Sequence, residues 1–250
     1  MCLARRCLHT FTRHRLPELL RETAQSVAVV TALLPSSSSS PTYHGATLSS
    51  FTSIALDPLP LVAFSLRVPS RMASALNAYL LASPSSPSSP SPPPAHLVIN
   101  ILSAAQPHLA DRFARPDLHP RPFADPDVRW TPSQEGLPIL DGALGALACC
   151  LVCPSLPLSR LGGPHVRASD DALPLVPEGE RKEARGGENS KEVLHASAGT
   201  GLASELFIAR VLRVERVPLV EDGEHEAGLY KLPLLYHRRR YTTVEGHVKS

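Results

Sequence analysis

The stretch HGATLSSFTSIALDPLPLVAFSLRVPSR, residues 44–71, decides the fold. Tyr43 to Ser50 reads as a strand, with Ser53 to Leu56 as its continuation. Asp57-Pro58 makes a turn, because the residue before a proline avoids the helical region. Leu61 to Leu66 is another strand. Ser70 can cap a helix running through Leu80, with Met72, Ala75, Leu76 and Tyr79 at helical spacing.

The same stretch holds candidate chemistry. Thr47, Ser49, Ser50, Thr52 and Ser53 place five hydroxyls within seven residues. Thr47 and Ser49 share one strand face and Ser50 points to the other. Such a cluster can hydrogen-bond a phosphate or the polar edge of a flat heterocycle. It also suits an ordinary polar strand end, which taken alone is the commoner case. From Phe64 to Arg71 a strand ends and a helix begins. Exposed N–H groups at a helix start favour an anion, and Arg67 and Arg71 offer planar forks suited to phosphate. The alternative is two solvated arginines at a junction.

Outward from this stretch, short strands dominate. Leu16 to Ala24 reads as a short helix and Ser26 to Leu34 as a buried, valine-rich strand. His96 to Leu102 is a strand, after which Ser103 caps a helix to about Ala114. Ile139 to Val152 holds one long strand or two. From Glu205 to Val217 the alternation puts Phe207, Ala209, Val211 and Arg213 on one face. Tyr230 to Leu235 and Tyr241 to Val244 close the chain. Between them, Pro233 to Tyr241 carries three arginines and two tyrosines, which fit a barrel edge better than a ligand site. Six or more strands with two interposed helices predict a mainly β fold, a β-barrel decorated by helices. A parallel α/β sheet is disfavoured, because too few strands are separated by helices.

Composition narrows the function classes. The chain has 250 residues, of which 43% are hydrophobic, enough for a sizeable core. Its formal charge is only +2, which argues against a dedicated nucleic-acid binder. The apolar stretch from Gly142 to Cys153 is too short to span a bilayer. The 26 prolines point to low-complexity inserts. These are read at 35–41, at 83–94, which is serine or proline throughout, and at about 163–203, whose centre is densely charged. Residues 1–15 hold Arg5, Arg6, Arg13 and Arg15 and no acid. They suit a basic tail or a mitochondrial presequence before a domain at 16–250, in the matrix or the cytoplasm. Five cysteines, three of them at 149, 150 and 153, predict buried thiols in a strand and a reducing compartment rather than a disulfide framework. The histidines form no metal-ligand pattern.

Taken in order, several segments resemble the flavin reductase-like, FMN-binding split-barrel family. Ser26 to Thr31 resembles its first strand. Gly45-Ala46-Thr47-Leu48-Ser49-Ser50-Phe51, Ser53 to Pro58 and Pro60-Leu61-Val62 resemble its G-x-T-x-S-S-F…S-L-D-P-P-L-V run. His96 to Leu102 with Ala110 and Phe113, Leu140 to Ala143, Phe207 to Val211 and Pro233 to Tyr241 fit as well.

The resemblance implies a Greek-key split barrel, dimeric, with FMN (or FAD) near the subunit interface. It implies NAD(P)H as co-substrate, with hydride passing from the nicotinamide to flavin N5, and a partner monooxygenase or other flavin acceptor. Carried over, Thr47, Ser49, Ser50 and Ser53 meet the ring and ribityl chain, with Phe51 and Thr52 in the same binding segment. Ser65, Arg67, Ser70 and Arg71 hold the phosphate. No catalytic side chain is nominated. One departure is clear: where many relatives carry Gly-Asp-His, this chain has Ala203-Ser204-Glu205. That substitution motivates a second reading, a non-catalytic FMN-binding or structural barrel.

Overall fold

The computed structural model describes residues 15–35, 41–82, 94–162, 203–218 and 228–244. The elements run α1 (15–21), β1 (Gln25–Ser26), β2 (Ala28–Leu34), β3 (Thr42–Leu48), β4 (Thr52–Ala55) and β5 (Leu61–Val68). Next come α2 (Arg71–Ala82), β6 (Leu97–Ile101), α3 (Pro107–Ala114), β7 (Trp130–Pro132) and β8 (Pro138–Leu140). The chain continues through β9 (Gly145–Leu151), β10 (Leu156–Pro157), β11 (Ala203–Glu215), β12 (Leu235–His237) and β13 (Arg240–Thr242).

The main sheet is antiparallel, in the order β3-β2-β6-β9-β11-β5-β4, with β10 added beside β11. It curls until β5 approaches β3 again. The inner face is lined by Val30, Leu48, Phe64, Leu66, Ile99, Phe207 and Ala209. Helix α2 closes this half-barrel with Met72, Ala73 and Leu76. Phe64 and Phe207, register partners on β5 and β11, stack 5.5 Å apart at 10°. Such a pair adds about 1 kcal/mol beyond its buried area.

Strand β2 is buried on both faces, which explains a run that is apolar except for Thr31, whose hydroxyl donates to the Pro138 carbonyl at 2.6 Å. Its outward residue Val29 joins Leu109, Ala110 and Phe113 of α3 in a second cluster. Tyr236 and Tyr241 pack against the same cluster, so the arginine- and tyrosine-rich segment covers this outer cluster, on the small sheet β1-β12-β13, rather than the edge strands β3 and β4 of the main sheet. The β7–β8 hairpin lies on a third cluster with Ala146 and Ala148. Buried Asn100 fixes it there, accepting the Leu140 N–H at 2.8 Å and donating to the Val29 carbonyl at 3.3 Å.

The mainly β barrel with attached helices is therefore as expected, and details differ. Ser103 does not cap α3. Its hydroxyl donates to the Gly142 carbonyl at 2.8 Å, and the helix begins four residues later at Pro107, where a missing N–H costs nothing. Ile139–Val152 resolves into two strands, separated at Gly142, whose φ of 74° suits glycine. Arg213 is not on the face of Phe207. A bulge between Val211 and Arg213 leaves Leu212 unpaired and turns Arg213 outward, where it bonds Glu135 at 2.5 Å and Glu215 at 2.9 Å. Cys149 and Cys150 are buried in β9, while Cys153 lies beyond it and is exposed. The basic tail and nearly all of the three inserts fall outside the described residues.

Candidate functional site

At the β3–β4 junction, Leu48 and Phe51 turn toward the barrel core and leave Ser49 and Ser50 exposed between them. The Ser50 hydroxyl accepts the Ser65 N–H at 2.9 Å and donates to the Ser65 carbonyl at 3.2 Å. One side chain thus stands in for a strand partner and holds the junction against β5. Thr47 donates to the Ala110 carbonyl at 2.6 Å, which ties β3 to α3. Thr52 donates to the Ser53 carbonyl at 3.2 Å. Three of the five hydroxyls therefore carry local structure, and exposed Ser49 and Ser53 lie beside them. Gly45 is required for a related reason: a Cβ there would fall 2.5 Å from the Phe113 ring.

The second half of the site is the start of α2. The Ser70 hydroxyl accepts the Ala73 N–H at 3.1 Å, as a helix cap should. The N–H groups of Arg71 and Met72 precede any carbonyl that the helix can offer them. Arg71 is exposed, with its guanidinium 3.5 Å from the Pro120 carbonyl. Arg67 is exposed near the end of β5, opposite Ser204. A cleft of about 580 Å³ opens here, lined by Leu34, Pro69, Ser70, Arg71 and Ser74, with no acidic residue among its described walls. Arg67 is not among the cleft's lining, since the alternation of β5 turns it to the face opposite Phe64 and Leu66; helix N–H groups, a capping serine and Arg71 make a donor set that fits a phosphate monoester.

Buried His44, on the inner face of β3, has its imidazole pKa lowered by burial and by the charge of Arg71. Sequence reading missed it, although its alternation with Ala46 and Leu48 marks it as inward-facing. Glu205, on β11, accepts hydrogen bonds from Asn77 of α2 and from Ser155, both at 2.9 Å. Neither partner was legible, since each lies at least fifty residues away. Burial pushes the Cys149 thiol up to about 12, so that side chain is a core group rather than a nucleophile. No group of residues able to hold a metal ion occurs among the described residues. No helix among them is long and apolar enough to cross a membrane.

Comparison with known proteins identifies the family and the fold. A family model described as flavin reductase like domain matches residues 20–245. An FMN reductase (NADH), SmoA, of Agrobacterium fabrum is 35% identical over 123 residues, 49% of this chain and 56% of that protein. The chain thus matches about half the length of that curated relative. Among solved structures, nitrilotriacetate monooxygenase component B from Mycobacterium thermoresistibile superposes with a TM-score of 0.54 at 21% identity, over 95% of this chain and 89% of its own. The styrene monooxygenase flavin reductase from Pseudomonas putida S12 gives 0.54 at 20% identity, over 94% and 99%. These likenesses establish the split-barrel fold. With the family model spanning nearly all the described residues, the chain belongs to the flavin reductase-like domain family.

Proposed function

We propose that this protein is an NADH-dependent flavin reductase that binds FMN across the β3–β4 junction and the start of α2. The observation that carries this reading is the cleft at Ser70 and Arg71, where helix N–H groups with no intrahelical acceptor and arginine meet with no described acidic wall. Arg67 and Arg71 neutralise the phosphate, and Ser65 and Ser70 shape its cradle. Ser49 and Ser53 present hydroxyls to the polar edge of the ring and the ribityl chain. Thr47, Ser50, Phe51 and Thr52 hold that surface in place. Flavin, when bound, supplies the hydride acceptor, so the protein needs no acid–base pair for that step.

The relative named as an FMN reductase (NADH) supports NADH as co-substrate. NADPH and FAD are the nearest substitutes. We extend the reading to a homodimer, because Ile54 and Leu56 on and after edge strand β4 are 50% and 79% exposed. A monooxygenase as flavin acceptor follows the names of the two structural neighbours, and the arginine-rich N-terminus supports a matrix or cytoplasmic location. The test is NADH consumption by the purified chain with and without added FMN. Consumption that depends on FMN supports the reductase. Flavin binding without it favours the non-catalytic barrel, which the engagement of Glu205 by Asn77 and Ser155 motivates.

A further inference from the structure

We propose that Glu205 is a positioning residue for the anion-binding start of α2, acting through Asn77; this rests on the flavin-phosphate reading above. Glu205 stands on the face of β11 that carries Phe207 and Ala209, toward the barrel interior. From there its carboxyl reaches α2, and a single oxygen, Oε2, accepts from both Asn77 Nδ2 and Ser155 Oγ at 2.9 Å. The helix is otherwise held by apolar Met72, Ala73 and Leu76 and, two residues beyond Asn77, by the Tyr79 hydroxyl, which donates to the Leu33 carbonyl at 2.9 Å. Apolar contact is non-directional and leaves helix rotation and tilt loosely defined. A hydrogen bond has a preferred distance and angle, and of these two the Asn77 bond is the nearer to Ser70 and Arg71. Asn77 lies six residues beyond Arg71, less than two helical turns. A change of tilt at Asn77 therefore moves Ser70, Arg71 and the free N–H groups together. Anion binding by such a cradle depends on placement within fractions of an ångström.

The test compares FMN with riboflavin, which has the same ring and ribityl chain but no phosphate. Affinities for both are measured by flavin fluorescence on the full chain, for the parent and for E205A, E205Q, N77A, S155A and E205A/N77A. The parent is expected to prefer FMN. E205A and N77A are each expected to lose about tenfold in FMN affinity, with riboflavin within about twofold of the parent. The double variant is expected to lose no more than either single one, as members of one linkage do. E205Q keeps the preference, because its amide oxygen accepts the same two bonds. S155A keeps it too, since that bond leads to the segment before β10 and not to α2. An unchanged FMN-to-riboflavin ratio in E205A and N77A overturns the inference. So does an equal loss of both flavins, which marks a general structural role. A parent protein that binds both flavins equally instead overturns the phosphate cradle itself, and the inference with it.

Discussion

Phe113 of α3 covers Gly45 of β3 so closely that a methyl group at Gly45 would lie 2.5 Å from two of its ring carbons. The glycine that opens the G-x-T-x-S-S-F run is thus a packing position. It lets α3 sit flat on β3, which in turn brings the Ala110 carbonyl within 2.6 Å of Thr47. Gly45→Ala forces the ring or the helix to move. We expect a loss of about 1–3 kcal/mol in stability, read by chemical denaturation. An unchanged midpoint would show that the ring moves aside freely.

Acid should weaken the fold. The imidazoles of His44 and His96 have pKa values lowered chiefly by burial, below the ordinary value of 6.5. In the unfolded chain they take up protons near 6.5, while the folded chain resists, so the unfolded state binds more protons in that window. Stability is then complete above about pH 6.5 and falls as pH drops below it toward the folded-state values. His96 Nδ1 accepts the Leu151 N–H at 3.1 Å, a role its protonated form cannot fill. Denaturation midpoints from about pH 8 to about pH 5 should show the decline. His96→Asn, whose amide oxygen can accept the same bond, should flatten it in part. A flat profile in the parent contradicts this.

The phosphate assignment makes a prediction of its own. Arg67→Ala with Arg71→Ala should weaken FMN binding at least tenfold, about 1.4 kcal/mol, and leave riboflavin binding nearly unchanged. Equal FMN affinity in the double variant removes the two arginines from the site.

The β12–β13 hairpin turns through Arg238 and Arg239, with φ of 49° and 64°. Two-residue hairpins of this hand favour asparagine and glycine. Arg238 is held by its N–H to the Arg21 carbonyl and by an ion pair with Glu22. Arg239→Gly should relieve strain and stabilise the protein by about 1 kcal/mol. A lower melting temperature would mean that the Arg239 side chain contributes more than its backbone costs.

The strands and α2 were legible because short-range rules govern them. Alternation placed Phe207 and Ala209 inside, and Ser70 capped the helix it precedes. Departures arose where one distant partner overrode a local rule. Ser103 is a good cap by type, but the Gly142 carbonyl takes its hydroxyl. Arg213 follows the alternation until a one-residue bulge reverses its face, and no residue type announces a bulge at Leu212. In the candidate site, the hydroxyl cluster and both arginines were visible as a pattern. That Thr47 serves α3, that Ser50 braces β5 and that Glu205 binds Asn77 depends on contacts between segments far apart in the chain.

If the protein is a flavin reductase, its barrel holds flavin where NADH can reduce it. The most direct measurement is the absorbance spectrum of the purified protein with FMN, before and after NADH is added without oxygen. A flavin reductase gives a bound-flavin spectrum that bleaches on NADH addition. A bound flavin that stays yellow, or no flavin binding at all, would contradict that reading.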